Sequence, residues 1–199
     1  MSELISNNNR VNMSKSSLYF KMLSDARDNK NFDMKKITGM NSGKFGEDVI
    51  FEILNKHNVE VKRSKIILKK ELSELYHKGY FQDDGFIPEF NLHIESKMLG
   101  FYSAGKGTAN EKLPGFLSKC INYSSPVVIV LGGDFELDKT FESNVLLGCA
   151  ELLSEEKNNN VLKYSFEGKA IKNLIEEGKL YVCRLSQFED FILSLRKDV

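Results

Sequence analysis

The sequence predicts an α/β fold in which a mixed central β-sheet is flanked by α-helices. Three observations carry that prediction. Phe45, Val49, Ile50, Ile53 and Leu54 recur with the 3.6-residue period of an amphipathic helix between Ser42 and His57. Residues 80–98 read as a strand, a turn and a second strand. Val127-Val128-Ile129-Val130-Leu131 is a continuous apolar run closed by Gly132-Gly133, the pattern of a strand buried on both faces. A helix, strands, a helix, a strand, then a late strand and helix define the α/β class.

Taken in order, residues 1–15 are polar, contain Asn7-Asn8-Asn9 and read as flexible. Residues 16–29 read as a helix with Leu18, Met22 and Ala26 on one stripe. Ser42 is the expected cap of the next helix, and Glu47 and Glu52 fall in its first half. A short strand is expected between Val59 and Leu68, and the alternating charges of residues 69–78 suit an exposed helix or loop. After the charged hairpin, a helix from about Ala109, bent near Pro114-Gly115, ends by Tyr123. Residues 138–157 read as a helix and Asn158-Asn159-Asn160 as a surface turn. Leu180 to Leu185 reads as a late strand and residues 186–197 as a terminal helix. No internal repeat is evident.

Composition sets modest bounds. A chain of 199 residues, 41% hydrophobic and 28% charged, is of a size for one soluble globular domain spanning 1–199. The formal net charge of zero gives no argument for nucleic acid by itself, and a nucleic-acid enzyme must gather its basic residues on one face. No run approaches the roughly 18 apolar residues of a membrane span, and the N-terminal residues lack the apolar stretch of a signal peptide. Cys120, Cys149 and Cys183 are far apart and odd in number, which suits a reducing, cytoplasmic setting without a zinc site. His57, His77 and His93 form no ligand pattern with them.

The chemistry concentrates between Asp84 and Lys97. Alternation puts Leu92 and Ile94 on one face of the second hairpin strand and His93, Glu95 and Lys97 on the other. Glu95 and Lys97 therefore project side by side, with Asp84 arriving from the neighbouring strand. Two acids and a lysine so placed suit a divalent cation and an activated water, the apparatus of metal-assisted phosphodiester hydrolysis. The pattern resembles the PD-(D/E)XK nuclease superfamily, to which most type II restriction endonucleases belong. Asp84-Gly85 matches the acidic residue of the motif's first half, with Asp83 where the usual Pro stands. Glu95-Ser96-Lys97 matches the (D/E)XK half. Glu47, in Gly43-Lys44-Phe45-Gly46-Glu47, matches the acid that many members carry on the helix before the core sheet. Gly107-Thr108-Ala109-Asn110-Glu111-Lys112 is similar to a segment after the catalytic strand in some members. The likeness covers roughly residues 43–135. Asp84 is favoured over Asp83 as the ligand because Gly85 follows it, as the family usually shows.

The resemblance implies a restriction-endonuclease-like core and a Mg²⁺-dependent DNA endonuclease, with Mn²⁺ as a possible substitute. Asp84, Glu95 and the backbone carbonyl of Ser96 would hold the metal. Lys97 would orient or deprotonate the attacking water and stabilise the transition state. Glu47 would bind a second metal or orient Lys97, and products would carry a 5′-phosphate. The loop from Gly100 to Thr108 is placed to run along a DNA groove and contact phosphate through backbone N–H groups and Lys106, with Thr108 also assigned to the DNA. Asn110 and Lys112 suit adenine and guanine edges in the major groove. A sequence-specific type II restriction enzyme acting on double-stranded DNA as a homodimer is the leading expectation. A Holliday-junction resolvase or a repair or phage nuclease is the alternative.

Blander and rival readings exist. Glu95 and Lys97 could be a solvated pair on a half-exposed strand, and a Glu in the first helical turn, like Glu47, is favoured by the helix dipole alone. His93 suits a satisfied structural residue better than a ligand. Gly100 to Thr108 nearly fits the phosphate-loop pattern G-x-x-x-x-G-K-[ST], with Val127 to Asp134 similar to a Walker B strand. Gly107 stands where that loop needs a hydroxyl, and a strand carrying His93, Glu95 and Lys97 suits a doubly buried parallel strand poorly. A binding or assembly module without chemistry would leave the acidic site unable to take metal.

Overall fold

The computed structural model describes residues 13–28, 41–67, 74, 80–99, 101, 117, 120–121, 123–137 and 166–197. The expectations for residues 1–12, for most of 69–78, for most of the helix after Ala109, and for the helix and turn of 138–160 lie outside them.

Helix α1 spans Lys15–Arg27 and opens on Ser14, whose hydroxyl accepts the Ser17 N–H at 3.1 Å. It buries Tyr19, Met22, Leu23 and Ala26, with Leu18 at the margin of that stripe. Helix α2 spans Ser42–Lys56 and buries the expected periodic residues. Its cap is Asn41 and not Ser42: the Asn41 side chain accepts the Lys44 N–H at 2.8 Å, and Ser42 is already the first helical residue.

Strands β1 (Lys65–Ile67) and β2 (Tyr80–Gln82) form a small antiparallel pair. The main sheet is mixed, with the order β3-β4-β5-β6. Strand β3 (Gly85–Ile87) runs antiparallel to β4 (Leu92–Leu99) through a 3₁₀ turn at Pro88–Phe90, which Asn91 closes in the left-handed region at φ 50°. Strands β5 (Val127–Gly133) and β6 (Leu180–Arg184) are parallel to β4, with His93 paired to Val127 and Leu99 to Gly133.

Helices cover both faces of this sheet. Leu92, Ile94, Met98, Val128 and Val130 pack with α1, α2 and the C-terminal helix α4 (Phe188–Leu195). Val127, Ile129 and Leu131 pack on the opposite face with Ile171 and Leu174 of α3 (Phe166–Glu176). Strand β5 is buried throughout, which explains its unbroken apolar run. No element was expected between residues 161 and 179, where α3 lies. The helix ends on Gly178 at φ 66°, with the Gly178 and Lys179 N–H groups closing back on Ile175 and Leu174 at 2.9 and 2.8 Å. Among the described residues no helix is long and apolar enough to cross a membrane.

Candidate active site

The fold sets Asp84, Glu95 and Lys97 around the open end of the β3–β4 ladder. The last ladder pair is Gly85 with Ile94, so the next step puts Asp84 opposite Glu95. The chain bends at Asp84, and its carboxylate takes a bond that a ladder carbonyl would otherwise take. The Ser96 N–H donates to Asp84 Oδ2 at 2.7 Å, while the Asp84 N–H donates to the Ile94 carbonyl at 3.1 Å. In extended backbone the N–H and C=O of one residue leave on the same edge. The Ser96 carbonyl therefore shares the edge at which Asp84 stands.

Glu95 is only 1% exposed, although Asp and Glu are almost never fully buried unless paired. Tyr123 donates its hydroxyl to Glu95 Oε1 at 2.9 Å, and Lys97 Nζ donates to Oε2 at 3.4 Å. Burial, with the Glu95 charge opposite, pushes the Asp84 carboxyl up to about 6. The Ser96 N–H and the Lys97 ammonium pull it down, and the more distant Glu47 charge pushes it up. Glu95, Lys97 and Glu47, the other residues of the expected catalytic set, are among the charges that act on Asp84.

Glu47 sits on α2 above β4, and Gly46 is what lets the helix come so close. A Cβ at Gly46 would lie 2.9 Å from Met98 Sδ, 3.0 Å from Met98 Cβ and 3.3 Å from Ser96 Oγ. The Glu47 carboxylate pairs with Lys44 at 3.5 Å and Arg63 at 3.4 Å, and Lys97 pairs instead with Glu95. Glu47 reaches the site through its field at Asp84.

Asp83 and Asp84, adjacent in sequence, have different partners. Asp83 accepts the Ser64 N–H at 2.9 Å, the Ser64 hydroxyl at 2.5 Å and His93 Nδ1 at 2.7 Å. Burial alone would raise Asp83, but the His93 and Ser64 bonds outweigh it and hold this carboxyl below its ordinary value. His93 lies between the rings of Phe86 and Tyr123, at 4.7 and 4.5 Å. This is a structural use of Asp83 and His93, and it leaves Asp84 as the acid beside Glu95.

Burial of β4 removes the half-exposed setting that a solvated Glu95–Lys97 pair would require. It also overturns one objection to a phosphate loop, because β4 is an internal strand parallel to β5 and still carries His93, Glu95 and Lys97. Lys106, Thr108, Asn110 and Lys112 lie outside the described residues, as does most of the Gly100–Thr108 loop.

The donor set fits a hard divalent cation. Among the described residues no group of three or more His, Cys, Asp or Glu converges as a ready metal cage. Mg²⁺ does not need one, since it commonly uses one or two carboxylates and keeps several waters. Burial first, and then the facing Glu95, raise the Asp84 carboxyl against the pull of the Ser96 N–H and Lys97. No sequence pattern marks Tyr123, which depends on the strand register bringing the residues before β5 beside β4. A second buried polar group, Tyr19 donating its hydroxyl to Glu136 Oε2 and accepting the Gly133 N–H at 3.1 Å, was also missed.

No protein-family model matches the chain, and no curated protein and no solved structure matches it.

Proposed function

We propose that the chain is a Mg²⁺-dependent DNA endonuclease of the PD-(D/E)XK type, with Asp84, Glu95 and Lys97 as its catalytic set. The observation that carries this reading is Glu95: a carboxylate 1% exposed, beside a lysine and opposite an aspartate whose proton is held up to about 6. Gathering like charges in a desolvated place destabilises the fold, and such perturbed groups cluster where chemistry is done.

In this mechanism Asp84, Glu95 and the Ser96 carbonyl hold the metal. Bound Mg²⁺ supplies a Lewis acid for the phosphoryl oxygen and a more acidic water. Lys97 lines up the attacking water and offsets the negative charge that grows on the phosphoryl oxygens. Glu47 adds negative field at Asp84, which favours a cation there. Mn²⁺, with the same taste for oxygen donors, substitutes. Lys106, Thr108, Asn110 and Lys112 are assigned to the DNA, Lys106 on phosphates and the last two on base edges. The leading form of the proposal is a type II restriction enzyme working as a homodimer on two-fold sites in double-stranded DNA.

Digestion of a long phage DNA with Mg²⁺, beside EDTA and Lys97→Ala controls, tests this. Discrete fragments lost in both controls support a sequence-specific endonuclease. A smear lost in both keeps the catalytic set and discards the restriction reading. Intact long DNA together with cut four-way junctions selects the resolvase reading. No cleavage of either substrate overturns the proposal.

A further inference from the structure

Tyr123 stands just before β5, and its hydroxyl bonds the Glu95 carboxylate. It donates to Oε1 at 2.9 Å, while Lys97 approaches Oε2 at 3.4 Å. Tyr123 and Lys97 thus meet different oxygens of one buried carboxylate. Its ring is held from below by His93, stacked at 4.5 Å and 26°. His93 is fixed in turn by Asp83, and Asp83 by two bonds from Ser64. The backbone around Tyr123 is anchored as well: Ser125 Oγ donates to Asn91 Oδ1 at 2.8 Å, and the His93 N–H donates to the Pro126 carbonyl at 2.9 Å. These contacts tie Tyr123 to the β3–β4 hairpin, which also carries Glu95 and has Asp84 at its flank, while the ring packs as well with Leu117 and Cys120.

We propose that Tyr123 is a positioning residue that fixes the Glu95 carboxylate for a divalent cation, with the Asp83–His93 pair holding the Tyr123 ring in place. The inference rests on the metal-dependent reading of Asp84 and Glu95. Hydrogen bonds to a ligating carboxylate set its orientation, and losing one commonly weakens metal binding about 10–100-fold. Tyr123 touches neither metal nor DNA in this scheme. It acts through Glu95.

The test uses the full chain and Mn²⁺ alone as the probe, with affinity read by titration calorimetry in the absence of DNA. Tyr123→Phe keeps the ring and its stacking and removes only the hydroxyl. Its expected effect is about a 10-fold weaker Mn²⁺ affinity. The Mn²⁺ concentration for half-maximal cleavage should rise by the same factor, with the rate at saturating metal close to wild type. His93→Gln, which leaves the hydroxyl and removes its support, should weaken Mn²⁺ in the same direction. Urea unfolding in EDTA checks that each variant folds. Unchanged Mn²⁺ affinity in Tyr123→Phe overturns the proposal while the metal site stands. A wild-type chain that binds no Mn²⁺ overturns the metal-dependent reading and this inference with it. Mn²⁺ binding weakened by Tyr123→Phe in a chain that cuts no DNA sinks the nuclease reading and keeps the positioning role.

Discussion

Asp84→Asn should make the metal-free protein more stable at neutral pH. The Asp84 carboxyl rises from 3.8 to about 6 on folding, chiefly through burial and then the facing Glu95. At about 1.4 kcal/mol per unit, that rise corresponds to roughly 3 kcal/mol of destabilisation once the group is ionised in both states. Partial exposure of the site trims the figure to about 2 kcal/mol, or about 4–8 °C in Tm for a chain of this size. The sign follows from proton binding. Between 3.8 and about 6 the folded chain holds more protons than the unfolded one, so stability falls as pH rises through that window. The penalty is complete above it and absent below 3.8. An amide carries no charge to desolvate or to oppose Glu95 and Glu47, and its oxygen can still accept the Ser96 N–H. Urea unfolding in EDTA at about pH 7.5 and about pH 4 measures the difference. Asp84→Asn should gain stability at the higher pH, and most of that gain should be gone at the lower. A variant no more stable than wild type at neutral pH, or one with the same difference at both pH values, would refute the reasoning.

Further expectations follow from other packed groups. Under the proposed nuclease mechanism, Lys97→Ala should lower DNA cleavage about 10²–10⁴-fold in a metal-saturated assay, because the attacking water would lose its general acid–base partner. Gly133→Ala should cost more in urea unfolding than the roughly 1–3 kcal/mol of its left-handed backbone alone, since Gly133 has φ 64° and a Cβ there would run into the Leu99 carbonyl. Tyr19→Phe should cost roughly 1–3 kcal/mol by leaving the buried Gly133 N–H without its partner and taking the Tyr19 bond from Glu136. Gly46→Ala gains helix propensity of about 1 kcal/mol but crowds Met98, and a net loss of about 1 kcal/mol is expected from the urea midpoint.

Much of the fold was legible because its elements carry strong periods. Strand β5 announced itself as an apolar run, and α2 as an amphipathic stripe. The cap of α2 was misplaced by one residue because Asn41 and Ser42 are both good capping types, and only geometry separates them. Helix α3 was overlooked, although Ala170, Ile171, Leu174 and Ile175 share one side of it and Gly178 supplies the stop. In the site, the alternation of Leu92 to Lys97 placed His93, Glu95 and Lys97 together on one face. The sequence did not reveal that this face is buried. That depends on β5 pairing in register and on Tyr123 arriving beside Glu95, both contacts between residues about 30 positions apart.

The division of labour between Asp83 and Asp84 follows from the sheet's mixed topology. Strand β4 has two different neighbours: β3 stops pairing at Gly85, while β5 continues beside β4 as far as Leu99. Beyond Ile94, the β3 edge of β4 has no further ladder pair among the described residues. The Ser96 N–H on that edge needs an acceptor, and the residue just before β3 is the nearest source of one. The bend at Asp84 supplies it, and that places a carboxylate opposite Glu95. Asp83, one residue earlier, reaches Ser64 and His93 instead and becomes part of the support under Tyr123. Exchanging the two roles would require β3 to begin one residue sooner, which would turn every side chain of β3 to the opposite face of the sheet and bring Ile87 out of the core. The core thus fixes the register, and the register fixes which aspartate stands in the site.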